Sequence, residues 1–336
     1  MTRSISITTD PETWRAALVE IGGYDFHHTY DFHAISQSEG EGDPLLVLGT
    51  EDGKPAFAMP LLSRSIPNTS HRDLTSAYGY PGPVYKVPED AEAWLDDAFK
   101  ALADQSFVSV FGRLHPVHNH ALIEAEPSFV RRLGEVIAAD LSRPENELKK
   151  EIRGLKNGTI KKIEKTGVTL RESRDPSDVP DFQRIYRATM DRLDASPYYY
   201  FSDAYISALL AAEDFAARLV FADLDGQPIG ATIMIETASF QQYYLSGTDP
   251  EHFRLSPVSL LLAREIFAAK ERHHSHFILG GGYGGADSGL AKFKLGFSKT
   301  TLPAGLLCKV LDAAAYNALS AGSQDTGFFP LYRQPA

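Results

Sequence analysis

The sequence predicts a mixed α/β protein built from two tandem modules with the same order of elements. Three observations carry this expectation. The chain has 336 residues, too many for one ordinary hydrophobic core and suited to two domains. Two tight turns, Glu51-Asp52-Gly53-Lys54 and Asp225-Gly226-Gln227-Pro228, each sit between apolar runs, the pattern of a β-hairpin. Each hairpin is preceded by helical periodicity and followed by another helix and a short apolar strand.

In the first module, Pro11 to Glu20 reads as a helix with Asp10 as its N-cap and Pro11 at its first position. Leu45 to Gly49 and Pro55 to Leu62 are the arms of the first hairpin. The glycines and prolines of Tyr78-Gly79-Tyr80-Pro81-Gly82-Pro83 demand a loop. Ala91 to Ala103 is helical, Phe107 to Phe111 is a buried strand, and Ser128 to Ala139 has no clear period. In the second module, Asp178 to Leu193 and Phe201 to Ala212 read as helices. Arg218 to Leu224 and Ile229 to Glu236 form the second hairpin, and Phe240 to Ser246 is a strand. Ser259 to Arg272 is a long helix, and Phe277 to Gly280 a short strand. Ser142, Pro144 and Asn146 break the pattern, which divides the chain into domains at 1–145 and 146–336.

Hydrophobic residues make up 43% and charged residues 23% of the chain, a globular composition. No apolar run reaches the ~20 residues that span a bilayer. Met1 to Asp10 lacks the basic-then-apolar layout of a secretory signal. The single cysteine, Cys308, excludes an internal disulfide framework and a cysteine-cluster metal site. A cytoplasmic monomer without a metal or cofactor is expected. The net charge of −11 opposes extended binding along DNA.

Four segments are candidates for chemistry. Within Lys149 to Lys165, the residues Lys149, Lys150, Arg153, Lys156, Lys161, Lys162 and Lys165 stand against Glu151 and Glu164. This local excess makes the basic segment 147–165 a candidate phosphate-contacting patch, equally readable as a solvated helix face. Asn157-Gly158 predicts a break within it. Gly280 to Gly289 holds six glycines in ten residues after a strand, so a ligand can approach backbone at Gly281 and Gly282. The spacing is neither a dinucleotide fingerprint nor a P-loop. In Leu290 to Phe297, Lys292 and Lys294 flank Phe293, and a lysine there can stabilise a developing oxyanion. The same stretch also reads as an ordinary strand with Phe293, Leu295 and Phe297 on one face. Finally, Tyr198 to Phe201 and Tyr243-Tyr244 offer aromatic surface for a base or an acyl group, or simple packing. The histidines, among them His27, His28, His33, His115 and His118, include no HExxH spacing, and no Gly-x-Ser-x-Gly elbow is present.

Taken together, these segments resemble the Fem-type family of non-ribosomal peptidyl transferases. The resemblance rests on Phe277-Ile278-Leu279-Gly280-Gly281, on Asp287-Ser288-Gly289-Leu290 and on Phe293-Lys294-Leu295-Gly296-Phe297. Tyr243-Tyr244-Leu245, Leu255-Ser256-Pro257, Lys161 to Val168, the helix carrying Thr189 and Arg192, and Phe328 to Arg333 add to it. So does the Tyr78 to Pro83 loop in the first half. The resemblance implies two tandem GNAT-like (N-acyltransferase-like) domains with a cleft between them. It implies an aminoacyl-tRNA donor and an amine acceptor, either a peptidoglycan precursor or a small amine natural product. Carried over, Lys294 would stabilise the tetrahedral intermediate, Phe293 would shape the site, and Arg192 would hold an anionic group of the acceptor. Tyr80, Tyr199, Tyr244, Gly281, Gly282 and His115 would contact substrate, with His115 also a candidate base. Lys161, Lys162 and Lys165 would meet the tRNA. Three features depart from the family pattern: His115-Pro116 stands where members often carry Asp-Pro, Tyr30 to Gln37 holds no lysine, and the long coiled-coil arm has no counterpart.

Two other readings share the fold. An acyl-CoA-dependent N-acyltransferase needs backbone amides to cradle a pyrophosphate, and Thr248-Asp249-Pro250-Glu251 opposes that use. A non-catalytic module of the same shape is the other.

Overall fold

The computed structural model describes residues 2–281 and 288–335. Its elements in chain order are β1 (Arg3–Thr8), α1 (Pro11–Ile21), α2 (Tyr30–Ser38), β2 (Asp43–Glu51), β3 (Lys54–Ser65), β4 (Arg72–Thr75), β5 (Val84–Tyr85), α3 (Ala91–Asp104), β6 (Phe107–Arg113), α4 (His120–Ala125) and β7 (Val130–Asp140). There follow α5 (Glu145–Glu151), α6 (Arg153–Lys156), α7 (Thr159–Glu164), β8 (Thr169–Ser173), α8 (Val179–Arg192), α9 (Asp203–Ala211), β9 (Ala216–Leu224), β10 (Gln227–Glu236) and β11 (Phe240–Thr248). The chain ends with α10 (Pro257–Glu271), β12 (His276–Gly281), α11 (Gly289–Lys294), β13 (Thr301–Val310) and α12 (Ala313–Leu319).

The chain divides into two compact units, one of residues 1–134 with 303–336 and the other of residues 135–302. The C-terminal stretch, grouped with the second module from the sequence, falls in the first unit. There β13 pairs with β6 from Leu306↔Arg113 to Val310↔Ser109, and Tyr332 and Arg333 both bond the buried carboxylate of Asp73.

In the first unit the strand order is β1-β2-β3-β4-β6-β13. Asp52 and Gly53, with φ of 48° and 79°, make the β2–β3 turn, the left-handed pair a tight hairpin requires. Asp10 caps α1 by accepting from the Thr13 amide. One face of α3 buries Trp94, Leu95, Ala98, Phe99 and Leu102 against the sheet. β4 and β6 run parallel, while β1–β2, β2–β3, β3–β4 and β6–β13 are antiparallel.

The second unit repeats this pattern in the order β8-β9-β10-β11-β12-β7. Asp225 and Gly226, with φ of 51° and 77°, turn the β9–β10 hairpin. β11 and β12 are the parallel pair, as β4 and β6 are in the first unit. α10 buries Leu260, Leu261, Leu262, Ala263, Ile266 and Ala269. Leu148, Ile152, Ile160 and Ile163 of the basic segment join the same core. That segment is three short helices, and the break expected at Asn157-Gly158 is real, with Gly158 at φ 76°. Ser128 to Ala139, without a clear period, is mostly strand β7. The alternating strand reading of Leu290 to Phe297 is corrected: the stretch opens as helix α11, capped by Ser288, whose hydroxyl accepts from the Ala291 amide. A serine cap outweighs a short alternation of apolar residues.

Candidate active site

Strands β11 and β12 set the site. They pair only from Phe240↔His276 to Gln242↔Ile278. Beyond that point β11 stays with β10 as far as Thr248↔Gly230, and β12 stays with β7 as far as Gly281↔Val136. Two parallel neighbours bonded to different partners leave a gap in the ladder. Both strands are irregular at the gap. The β10–β11 register shifts between Thr232↔Ser246 and Met234↔Tyr243, a bulge of the kind that re-aims side chains. Gly280 sits at φ 86°, beside a register shift on β12.

Lys294, at the end of α11, reaches this gap. Its side chain is 8% exposed. Its Nζ donates to the Gly281 carbonyl at 2.8 Å and lies 6.0 Å from the centre of the Tyr243 ring. Among the described residues no carboxylate pairs with it. Burial in this apolar surrounding pushes the amine down from 10.5 to about 8. The same burial raises the Tyr243 phenol to about 12, and its hydroxyl is bonded to Ser246 Oγ. A cation desolvated without a partner is expensive, and such groups concentrate at functional sites. Phe293 is half-buried, its ring 5.2 Å from that of Phe297, and it packs on the core of the unit. Gly281 therefore lies beside Lys294, whereas Gly282 lies outside the described residues.

Other expected residues lie elsewhere in the second unit. Tyr244 is half-buried and its hydroxyl is bonded to that of Tyr205. Tyr199 accepts the Tyr186 hydroxyl on its carbonyl at 2.7 Å. Arg192 is exposed, its guanidinium 4.3 Å above the Phe253 ring. α8, which carries it, is tied to the end of β11, where the Thr248 amide donates to Thr189 Oγ1 at 2.9 Å. Lys161, Lys162 and Lys165 are exposed, and none has an ion-pair partner among the described residues.

Tyr80 and His115 belong to the first unit. Tyr80 lies edge-on to His27, ring centres 5.6 Å apart. His115 is fully buried. Its Nε2 faces Asp25 Oδ2 at 3.2 Å, and its Nδ1 accepts the amides of Val117 and His118. His27 Nδ1 meets the same Asp25 oxygen at 3.1 Å. Burial would raise the Asp25 carboxyl, but the hydrogen bonds from His115 and His27 prevail and hold it well below the usual range. Both ring nitrogens of His115 are engaged and none of its surface is free, so the expectation that it contacts substrate or acts as a base is corrected: it is a buried structural centre. No three His, Cys, Asp or Glu side chains among the described residues are grouped to hold a metal ion.

Two residues escaped the sequence reading. Tyr243 was seen only as part of a Tyr-Tyr pair, and the bulge in β11 decides which ring faces Lys294. Glu151 was counted as a charge in the basic run, yet its carboxylate accepts the Lys299 amide at 3.0 Å. An acid embedded among lysines was the available signal. Two surface cavities of about 210 and 680 Å³ share Arg174, Glu236 and Arg272 in their linings, and no expected site residue lines them.

Residues 150–294 match the family model described as Acetyltransferase (GNAT) domain. The second unit carries an acyltransferase domain of the GNAT type. The solved structure of FemX superposes with a TM-score of 0.72 at 14% identity, covering 95% of this chain and 99% of that one. The C-terminal domain of a putative lysylphosphatidylglycerol synthetase from Agrobacterium fabrum gives 0.56 at 15% identity, covering 92% and 94%. L-PGS from Bacillus licheniformis gives 0.56 at 14%, covering 90% and 93%. No curated protein sequence matches. The fold is therefore that of FemX, with two GNAT-like units, and the chain is an acyltransferase by its domain. No helix among the described residues is long and apolar enough to cross a membrane.

Proposed function

We propose that this chain is an aminoacyltransferase that moves an aminoacyl group from aminoacyl-tRNA to an amine acceptor. The acceptor is a peptidoglycan precursor or a small amine natural product. The observation that carries the reading is the buried Lys294 amine at the β11–β12 gap, bonded to the Gly281 carbonyl and without a carboxylate partner among the described residues. The amine nitrogen attacks the ester carbonyl carbon, the C–N bond forms, and the C–O bond to the ribose breaks. The departing oxygen takes up the proton that the amine loses. Charge builds on the carbonyl oxygen meanwhile, and Lys294 supplies the cation that meets it. Phe293 limits water at the site, and Arg192 holds an anionic group of the acceptor. Transfer is direct, without a covalent enzyme intermediate. The one cysteine, Cys308, is buried with its thiol pushed up to about 11, a poor nucleophile.

Support for a tRNA donor comes from two places. Lys161 and Lys162 on one short helix and Lys165 at its C-cap offer exposed cations that have no ion-pair partner among the described residues. The β11–α10 connection is poor at holding a pyrophosphate: Asp249 already takes the Glu251 amide at 2.9 Å, and Pro250 and Pro257 have no amide to give. An acyl-CoA donor is the second reading, favoured by the acetyltransferase description of the matched domain. The test is incubation with charged tRNAs and candidate amines, with the product read by mass spectrometry. Amide formation that ribonuclease abolishes supports the proposal. Full activity with acetyl-CoA in place of tRNA overturns it.

A further inference from the structure

Helix α11 is six residues long, too short to hold its own geometry in water. Something else must fix the direction of Lys294. Just after the lysine, the Gly296 carbonyl accepts the Arg153 amide at 2.7 Å. A Cβ at Gly296 would lie 2.8 Å from the Phe293 carbonyl oxygen and 3.0 Å from Arg153 Nη2, so the turn is enclosed by its own backbone on one side and the guanidinium on the other. Two residues on, the Glu151 carboxylate accepts the Lys299 amide at 3.0 Å and the hydroxyl of the fully buried Ser298 at 3.2 Å. Its other oxygen accepts from Arg143. Burial opposes the charge on Glu151, yet the Lys299 amide and Arg143 outweigh it and hold the carboxyl below its ordinary value.

We propose that Glu151 and Arg153 are positioning residues that clamp the C-terminal end of α11 and so aim Lys294 at the Gly281 carbonyl. The clamp comes from the same segment that presents Lys161, Lys162 and Lys165, so the donor-facing patch and the lysine share one mechanical support. The inference rests on the function proposed for Lys294, but its structural half is testable without any substrate.

The experiment is competitive acetylation of the whole protein with acetic anhydride across pH 6 to 11, with Lys294 followed by digestion and mass spectrometry. In Glu151→Ala the apparent pKa of Lys294 should rise by one or more towards that of an ordinary lysine. With aminoacyl-tRNA as donor, kcat should fall on the order of tenfold while acceptor KM stays within about twofold. Glu151→Gln keeps an oxygen for the Lys299 amide and should restore most of both. Ser298→Ala, which removes the hydroxyl that Glu151 accepts, should move the labelling in the same direction and serves where Glu151→Ala does not fold. A folded Glu151→Ala protein with wild-type labelling and kcat overturns the clamp, as does a Glu151→Gln protein as impaired as Glu151→Ala. Inactivity of the wild-type protein with every charged tRNA would instead sink the donor assignment and leave the labelling result to judge the clamp.

Discussion

The Lys294 Nζ donates to the Gly281 carbonyl at 2.8 Å, so the end of α11 closes on the end of β12. This bond joins the two halves of the motif that the sequence placed on either side of the glycine run. Its energetics predict opposite signs for stability and for activity. The folded amine titrates at about 8 against 10.5 in the free chain. Below about pH 8 the fold therefore holds a charge that it disfavours, by at most about 3 kcal/mol. Lys294→Met removes that penalty and loses one hydrogen bond worth about 1 kcal/mol. Calorimetry at pH 7 should give a melting temperature equal to or above wild type. Aminoacyl transfer should fall about 10²–10³-fold with acceptor KM little changed. A large rise in acceptor KM with kcat preserved would make Lys294 a binding residue instead.

The pH profile separates two roles for the same amine. If the charged form meets the oxyanion, kcat/KM must fall as pH rises through about 8, the value to which desolvation pushes Lys294. An acceptor amine of low pKa keeps its own titration out of that window. Lys294→Arg, which stays charged, should abolish the falling limb at a lower plateau. A limb that rises through pH 8 and vanishes in the variant would assign Lys294 as a base.

The lysines of α7 should act through phosphate. Lys161, Lys162 and Lys165 are exposed on a chain of net charge −11, so their field is local and salt-sensitive. Replacing Lys161 and Lys162 with alanine should weaken aminoacyl-tRNA binding and reduce the slope of log K against log salt by roughly one to two. An unchanged slope in a filter-binding titration would remove this helix from the donor surface.

The periodic parts of the fold were legible because local rules decide them. The Asp-Gly turns at 52–53 and 225–226 demand positive φ at both positions and so fixed both hairpins. Asp10 and Pro11 placed the start of α1 within a residue. What failed depends on distant partners. The short helix at Lys294 alternates like a strand, and only its Ser288 cap shows otherwise. Strand β13 carries Pro303 and Gly305, and it is held by pairing with β6, almost two hundred residues earlier in sequence. Lys294 itself was found through the resemblance, since nothing in its neighbours announces that it is buried. His115 was misjudged for a related reason, because the partner that buries it, Asp25, lies far away in the chain.

That buried histidine centre yields the last prediction, which concerns acid. Asp25, His27, His28, His33 and His115 are fully buried in the first unit, with His118 packed against them. Desolvation lowers His27 and His28 below their ordinary value and His33 to about 4. The folded unit therefore refuses protons that the unfolded chain accepts below pH 6.5, so stability is lost as pH falls from 6.5 towards 4. His33 alone accounts for about 3 kcal/mol of that loss at its limit. Asp25, held low, acts only below the usual carboxylate range and does not offset it. The reporter is built in. Both tryptophans, Trp14 and Trp94, lie in this unit, and Trp14 donates its indole N–H to the His28 carbonyl at 2.8 Å and packs against His33 with ring centres 5.1 Å apart. Tryptophan fluorescence should report cooperative loss of this unit between about pH 4 and 6. His33→Gln keeps an amide donor for the Thr29 carbonyl, which His33 Nδ1 now meets at 2.9 Å, but cannot titrate. Its acid midpoint should move down by several tenths of a pH unit. An unmoved midpoint in a variant that is otherwise as stable as wild type at pH 7.5 would show that acid sensitivity resides elsewhere.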